Sequence, residues 1–577
     1  MSEAPLSPEQ RLHALENSFL PSPEDATKWK QQAAADYDEI VALGLAERAW
    51  KEFTTRIPEA SVQRWSIGYF ANNENIWCDF RYKIAGSDEV IQKEFGFRKQ
   101  ADCQWALMAW EVPEPQLSLA ESLHYLLGAD GDTVSDDPAT LAAHAGDKWF
   151  AAHAPEAVVF ARSAEDVSRV LKFCTERGVP VTARGAGYGY VGGCVPARGG
   201  VALSLMQMNC IKEINARDFV AVAQPGVITG ELQAAARAKN LYYPPDPASL
   251  KNSTLGGNIA TNAGGPKCLK YGVTRHYVLG LEVVLANGDI VRCGGRTHKN
   301  KTGFDLIGLF VGSEGMLGVV TEATLRLLPL PPARAALSCG FADIRAAAAA
   351  VQAIFASGWL PAALEIADRF TLEAARGFVG KANVPAGDAH LLVELDGREN
   401  SLRNEIEELR ALLLGVGGLE PATALNADCE RLWDLRRAFS ESLKSTGLTK
   451  LNEDVVVPRG RLVDLIDFAA DIQRRYGVPV ACFGHAGDGN IHVNLMAGGY
   501  HERADVRENM DRALDELFNQ IITWGGAITG EHGVGLAKRR WWPRALSAEN
   551  RALHARLKAA LDPRGILNPG KFLESDG

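Results

Sequence analysis

The spacing of apolar positions changes along the chain, and each change marks a segment. Over 25–53 apolar residues recur at helical spacing. Two hairpins are predicted next, from runs at 61–70 with 76–84 and at 90–98 with 103–112. In the second run Ile76, Cys78, Phe80, Tyr82 and Ile84 alternate with mostly polar residues, the pattern of a half-buried strand. Six of the twelve tryptophans precede position 120, which gives this region material for its own core. It shows no chemistry and reads as a packing or interaction module.

A strand is predicted over 158–161. Ser163 caps the helix that follows, with Glu165 and Asp166 in its first turn, where negative charge suits the helix dipole. Val167, Val170, Leu171 and Cys174 share one face, Gly178 ends the helix, and 179–183 is the next strand, making a βαβ-like unit. Apolar runs on both sides of Asn287-Gly288 predict a hairpin, 319–328 a strand, and Pro329-Leu-Pro-Pro332 a domain boundary. Beyond 334, helices at 344–357, 405–413 and 461–475 alternate with strands at 336–341, 390–395, 480–483 and 491–495. That pattern predicts an α+β domain with helices over an antiparallel sheet.

The length of 577 residues allows two to four domains, and 46% hydrophobic with 23% charged residues is ordinary for a globular protein. A net charge of -10 argues against a nucleic-acid binder. Ten cysteines without a C-x-x-C pair argue against an iron–sulfur cluster or a cysteine zinc site, and fit a reducing compartment. The start, Met1-Ser-Glu-Ala-Pro5, lacks signal-peptide character. The longest uncharged run, between Arg345 and Glu365, is broken by Gly358 and Pro361, so no transmembrane segment is expected. The expected location is the cytoplasm, with peripheral attachment to a membrane left open.

Candidate chemistry concentrates in His485-Ala-Gly-Asp-Gly-Asn-Ile-His492 and in Glu531-His532-Gly533. Two imidazoles and a carboxylate make a three-ligand divalent metal site with open positions, and the remaining histidine suits a general base. Gly487, Asp488 and Gly489 form a turn between two strands. Upstream, the loop Arg184-Gly-Ala-Gly-Tyr-Gly-Tyr-Val-Gly-Gly193 offers backbone N–H groups to a diphosphate, with Arg184 as a fixed charge. It is no Rossmann fingerprint, because Tyr190 stands where the third glycine belongs and no helix follows, so a nicotinamide site is disfavoured. A second small-residue segment runs from Ser253 to Gly265, where Asn258, Thr261 and Asn262 offer side-chain hydrogen bonds. Two such cradles favour a dinucleotide. A third glycine-rich loop spans 312–318.

Eight motifs in order then resemble the flavin-dependent D-2-hydroxyacid dehydrogenases, of the vanillyl-alcohol-oxidase-type flavoprotein superfamily. They are RGAGYGYVGG, PPDPASLKNSTLGGNIATNAGG, LKYGVTRHYVLGLEVVLANG, LFVGSEGMLGVVTEATLRLLP, NEDVVVPRGRL, FGHAGDGNIHVNL, TGEHGVG and LNPGKF, and they cover 130–575. The resemblance implies an α+β fold. A two-subdomain FAD-binding domain of the vanillyl-alcohol-oxidase (PCMH) type would span 126–332 and an α+β cap with an antiparallel sheet 333–525. A segment over 526–577 would complete the site, and an accessory α+β region of unknown role would span 1–125. FAD would lie along Arg184, Gly185, Ala186, Gly187, Tyr188, Gly192 and Gly193, and along Pro245, Gly256, Gly257, Asn258, Thr261, Asn262, Ala263 and Gly264. Gly318 and Val320 would be near the adenine and Asn568 near the flavin ring. Tyr188 occupies the position where some superfamily members carry a flavin-linking histidine, so non-covalent FAD is expected.

By the same resemblance His485, His492 and Glu531 hold zinc or manganese, His532 is the base, and Arg436 and Lys450 hold the substrate carboxylate, with Ser440 and Asn490 as further polar contacts. The implied reaction oxidises a small 2-hydroxyacid, such as D-lactate, glycolate or D-2-hydroxyglutarate, to its 2-oxoacid by hydride transfer to FAD. The alternatives are a bulkier hydroxyacid or sugar acid as substrate, and a catalytically weak flavin-binding sensor or interaction subunit. The electron acceptor is left open among quinone, cytochrome, electron-transfer flavoprotein and oxygen, and a homodimer is allowed. Tyr188 and Tyr190 depart from the smaller or aliphatic residues usual in that loop.

Overall fold

The period-two runs near the start of the chain pair in sequence order. A computed structural model describes residues 62–72, 75–84, 91–99, 105–107, 118–127 and 133–573. Strands β1 (Val62–Asn72), β2 (Asn75–Ile84), β3 (Ile91–Lys99) and β4 (Trp105–Leu107) form an antiparallel sheet in that order, so both hairpins form. The helix expected over 25–53 and the strand end beyond 107 lie outside the described residues. The chain divides into two compact units, Met1–Ala129 and Asp130–Gly577. All candidate chemistry lies in the second.

That unit opens with a four-stranded sheet of β5 (Val134–Ser135), β6 (Ala157–Phe160), β7 (Val181–Arg184) and β8 (Val201–Ser204), ordered β5-β6-β8-β7. The helix α1 (Ala164–Arg177) forms as its ends dictate. The Ser163 side chain accepts from the Asp166 N–H, and Gly178 closes the helix at φ 69°. The four residues expected on its inner face are buried. β6 and β7 are not neighbours, however. Each pairs in parallel with β8, which sits between them. All four β8 residues are buried, and so short an apolar run carries no period to read.

A five-stranded antiparallel sheet follows, ordered β13-β12-β14-β10-β9, from β9 (Ile211–Asn215), β10 (Val220–Ala223), β12 (Val278–Val284), β13 (Ile290–Gly294) and β14 (Val319–Arg326). Strands β11 (Leu241–Tyr242) and β15 (Leu328–Pro329) make a separate pair. The hairpin expected at Asn287-Gly288 forms, with Gly288 at φ +87°. The small-residue segment from Ser253 to Gly265 contains a two-turn helix, α2 (Leu255–Thr261). Thr254 caps its start and Asn262, at φ 52°, its end, and these caps with buried Leu255 and Ile259 override its glycines.

The third sheet has seven strands, all antiparallel, ordered β19-β16-β18-β17-β21-β22-β20. They are β16 (Ala333–Phe341), β17 (Ala363–Ala367), β18 (Ala389–Gly397), β19 (Leu419–Leu425), β20 (Thr449–Val456), β21 (Val480–His485) and β22 (Asn490–Ala497). One face packs Leu337, Ile366, Val393, Cys482, Val493 and Leu451 against α3 (Ile344–Ala356), α5 (Glu399–Gly415), α7 (Leu462–Tyr476) and α8 (Ala504–Thr523). The other packs Ala367, Phe483 and Met496 against α4 (Arg369–Val379) and α6 (Cys429–Lys444).

Register now places the chemistry. Glu365 pairs with His485, His485 with Asn490, and His492 with Asp454. Directly paired residues and i, i+2 neighbours share a face. Glu365, His485, Asn490, His492, Asp454 and Lys450 therefore all project from the α4/α6 face. Past α8 the chain turns back, bridging Ala527 to Val456 and Leu567 to Val181, so its last part joins the cap sheet to the first sheet.

The β21–β22 turn closes on Gly489 at φ +86°, and a Cβ there would run into the Val457 carbonyl oxygen. Gly489→Ala is expected to cost at least about 1–2 kcal/mol from backbone conformation alone. A thermal midpoint indistinguishable from wild type would contradict this account of the turn.

Candidate active site

His485 ends β21 and is 4% exposed. Its Nδ1 lies 2.6 Å from Glu365 Oε1, and its Nε2 lies 3.0 Å from Glu531 Oε1. One carboxylate thus faces each ring nitrogen. Burial opposes a charge on His485, but Glu365 and Glu531 outweigh it and hold its pKa well above the usual value. A cation, either a proton or a metal ion, belongs between Nε2 and Glu531. Two donors bound to one ion at about 2.1 Å each lie roughly 3 Å apart. His492 completes the set. Among the described residues, His485, His492 and Glu531 bring their donor atoms within 4.8 Å of one another. His492 Nδ1 is buried without a hydrogen-bond partner, and burial holds that ring's pKa well below the usual value, with the charges of His485 and His532 adding to the effect.

His532 stacks between two rings, Tyr190 at 5.4 Å and His492 at 5.7 Å. Its turn is fixed from below by Asp454, which is fully buried. Asp454 Oδ2 accepts from the backbone N–H groups of Gly530 (2.9 Å), Glu531 (2.8 Å) and His532 (3.1 Å) and from the Thr529 hydroxyl (3.1 Å). Its Oδ1 accepts from the Asn490 amide at 2.7 Å. Burial alone would raise its pKa. The charges of His532, Lys538 and His492 and the Glu531 N–H hold it well below the ordinary range. From the other side Glu314 accepts from the N–H groups of Val534 (2.7 Å) and Gly535 (2.9 Å). Asn568, expected near the flavin, donates to the carbonyls of Gly193 and Glu314 and so joins three segments.

The two expected anion holders come from neighbouring elements. Arg436, on α6, donates from Nε to Glu365 Oε2 at 2.6 Å and lies over the Phe483 ring at 4.9 Å. Lys450, on β20, donates to the Ser440 hydroxyl at 2.8 Å. Burial, then the nearby charges of Lys444 and Arg436, push the Lys450 pKa down to about 8. Asn490 spends its amide on Asp454 and on the Val455 carbonyl, so it braces the site.

Beside these groups runs a groove of about 1410 Å³, open to solvent, with Glu531 and His532 in its wall. Residues 184–191 and 193 of the first loop, with parts of the segments 253–264 and 313–320, line it, including Gly185, Gly187, Tyr188, Gly193, Gly256, Gly257, Gly264, Gly318 and Val320, whereas Gly192, Pro245 and Asn262 do not. At Gly256 a Cβ would press on Pro225 at 2.6 Å, so only glycine allows this wall to close up. Ser253 Oγ, in the wall, is buried without a partner. Some expected contacts are spent on the wall itself. Arg184 donates to the carbonyls of Gly146 (2.6 Å) and Ala143 (3.3 Å), Asn258 to Thr229 (2.6 Å), and Thr261 to Gly257 (3.2 Å). Asn262 accepts from the Arg275 N–H at 2.9 Å. Tyr188 lies beneath Lys148, 4.5 Å from its ammonium.

Sequence reasoning missed Glu365, Asp454 and Glu314. The available signal was a lone carboxylate inside an otherwise apolar run, as in Ala362-Ala-Leu-Glu-Ile-Ala367. Among the described residues no helix is long and apolar enough to cross a membrane.

Two family models match the chain. Residues 155–294 match the FAD binding domain family, and residues 330–572 match the C-terminal domain of FAD linked oxidases. The glycolate oxidase subunit GlcD of Bacillus subtilis (strain 168) is 41% identical over 73% of this chain and 90% of its own length. The D-lactate dehydrogenase of Anaerostipes hadrus is 35% identical over 72% of this chain and 89% of its own. In fold the chain resembles p-cresol methylhydroxylase, with a TM-score of 0.65 at 20% identity over 79% of this chain and 96% of that one. The 4-ethylphenol oxidase of Gulosibacter chungangensis gives a TM-score of 0.63 at 22% identity over 79% and 95%. These likenesses establish the two-subdomain flavoprotein fold with an antiparallel cap.

Asp454→Asn replaces an oxygen by an NH2 group among five donors. Each buried donor left unmatched costs about 1–3 kcal/mol. The expected result is a lower thermal midpoint with faster hydrogen exchange at the Gly530, Glu531 and His532 amides. Unchanged protection there would show that Asp454 does not hold the turn.

Proposed function

Because this chain belongs to the FAD-dependent D-2-hydroxyacid dehydrogenase family, we propose that it oxidises a small D-2-hydroxyacid on a divalent metal ion, with His532 as base. It is an FAD-linked oxidoreductase of hydroxyacids such as D-lactate or glycolate. The observation that carries this reading is the convergence of His485, His492 and Glu531 beside His532, with Glu531 and His532 in the wall of the flavin groove.

Bound FAD supplies the hydride acceptor, and zinc or manganese on His485, His492 and Glu531 supplies charge that makes the substrate hydroxyl easier to deprotonate. Everything else falls to side chains. Arg436 and Lys450 take the substrate carboxylate and fix which face of the substrate meets the flavin. His532 turns Nδ1 toward Asp454 Oδ2 at 3.8 Å, which leaves Nε2 to receive the hydroxyl proton. Tyr190 and His492, stacked on either side, restrict its ring plane. Tyr188 provides no histidine nitrogen for a flavin bond, which supports non-covalent FAD.

Under anaerobic conditions the yellow protein should bleach on addition of D-lactate, glycolate or D-2-hydroxyglutarate, and prior chelation should prevent bleaching. His532→Ala should keep its flavin and lose about 10²–10⁴-fold in the rate of bleaching. Bleaching at the wild-type rate after chelation would refute the metal, and an undiminished His532→Ala would refute the base.

The depressed Lys450 pKa gives a signed pH effect. Below about pH 8 the ammonium is charged and attracts the substrate carboxylate, and above it that attraction is lost. KM should therefore rise above pH 8. Lys450→Arg, charged throughout, should flatten the rise. A KM profile identical in the two proteins would contradict the assignment.

A further inference from the structure

Glu365 sits in the middle of β17 and is 1% exposed, with Ala363 and Ala367 beside it on the same face. Trp433 packs near Ala363, and Phe439 near Ala367. A lone carboxylate in such a layer is costly unless both oxygens are matched by donors. Both are. Oε1 meets His485 Nδ1 at 2.6 Å, and Oε2 meets Arg436 Nε at 2.6 Å. The sheet fixes the first contact, because Glu365 and His485 are directly paired across β17 and β21. Helix α6 brings the second.

Packing alone does not explain the arrangement, since buried ion pairs can often be replaced by apolar side chains without loss of stability. Position explains it better. One partner is a proposed metal ligand and the other a proposed holder of the substrate carboxylate. We propose that Glu365 is a positioning residue that couples these two, orienting His485 to offer Nε2 and Arg436 to offer its free guanidinium edge with one carboxylate group. The inference rests on the metal reading above.

The chemistry is specific to a carboxylate. His485 must donate from Nδ1 if Nε2 is to present a lone pair, so its partner must accept. Arg436 Nε–H is also a donor, so its partner must accept too. Glutamine has one accepting oxygen and one NH2 group. Whichever way it turns, one of the two contacts becomes donor against donor. Aspartate accepts at both oxygens but is one methylene shorter. The geometry also gives Arg436 a route to the metal donors that does not require direct contact with them. A change at Arg436 is felt at His485 through Glu365, and by linkage the influence is reciprocal.

The test is a titration of manganese or zinc into chelator-treated, FAD-loaded protein, followed by the metal retained after dialysis, with KM for the reducing hydroxyacid measured in parallel. Glu365→Gln is expected to weaken metal binding about tenfold, within the range found when a partner of a metal ligand is removed. It should also raise KM about tenfold while flavin absorbance per chain stays unchanged. Arg436→Gln, which removes no metal ligand, is expected to shift the metal Kd at least threefold in the wild-type background and not at all beside Glu365→Gln. If Glu365→Gln yields no folded protein, the Arg436→Gln titration alone decides, and an unchanged metal Kd there overturns the coupling. Wild-type binding and KM in a folded Glu365→Gln overturn it as well. If the wild-type protein binds neither metal, the metal reading itself has failed and this inference goes with it. Tight wild-type binding with unresponsive variants leaves that reading intact and removes only Glu365.

Discussion

The constraint on which the site depends is the carboxylate of Asp454. A fully buried negative charge survives only if donors surround it, and here they are three successive backbone N–H groups, a hydroxyl and an amide. Four of these donors belong to the 529–532 turn and the fifth to Asn490 on β22. Satisfying the charge therefore determines how the turn lies on the sheet. Glu531 and His532 have no freedom to point elsewhere while their own N–H groups serve Asp454. Glu314, from the flavin-binding half, takes the N–H groups of Val534 and Gly535 a little further along the same stretch. A single short turn is thus shared by the cap and the groove.

The other groups stand on strands. β17, β21, β22 and β20 are adjacent in the seven-stranded sheet, and their antiparallel register brings six site residues onto one face with no loop to adjust. Sites on regular elements hold their geometry more tightly than sites on loops. The opposite face of the same strands packs its apolar side chains under four helices. The strand alternation that buries Ile491 and Val493 on that side presents Asn490 and His492 on this one.

Much of this was legible in the sequence because it is local. Ser163 and Gly178 bound a helix by their own chemistry. Gly489 requires a turn, and the order of eight motifs identifies the family. What the sequence hid is non-local. Insertion of β8 between β6 and β7 depends on a pairing that no residue announces. α2 looks like a turn until its two caps are seen in place. Glu365 and Asp454 read as ordinary charges in their segments, because their partners lie 71 to 120 and 36 to 78 positions away. The expected ligand contacts of Arg184 and Asn258 show the reverse. A polar side chain facing a groove can be committed to the wall that forms it.

Asn568 donates to the Gly193 carbonyl across 375 residues of chain. At roughly 5–20 residues per second a ribosome needs about 20–75 s to make that stretch. For that interval the glycine-rich loop is already outside the ribosome, while the segment that braces it has not been made. The contact that ties this loop down can form only after Asn568 has been made. The wall that the Gly193 carbonyl belongs to therefore takes its final form only after the 375 residues between the two partners exist.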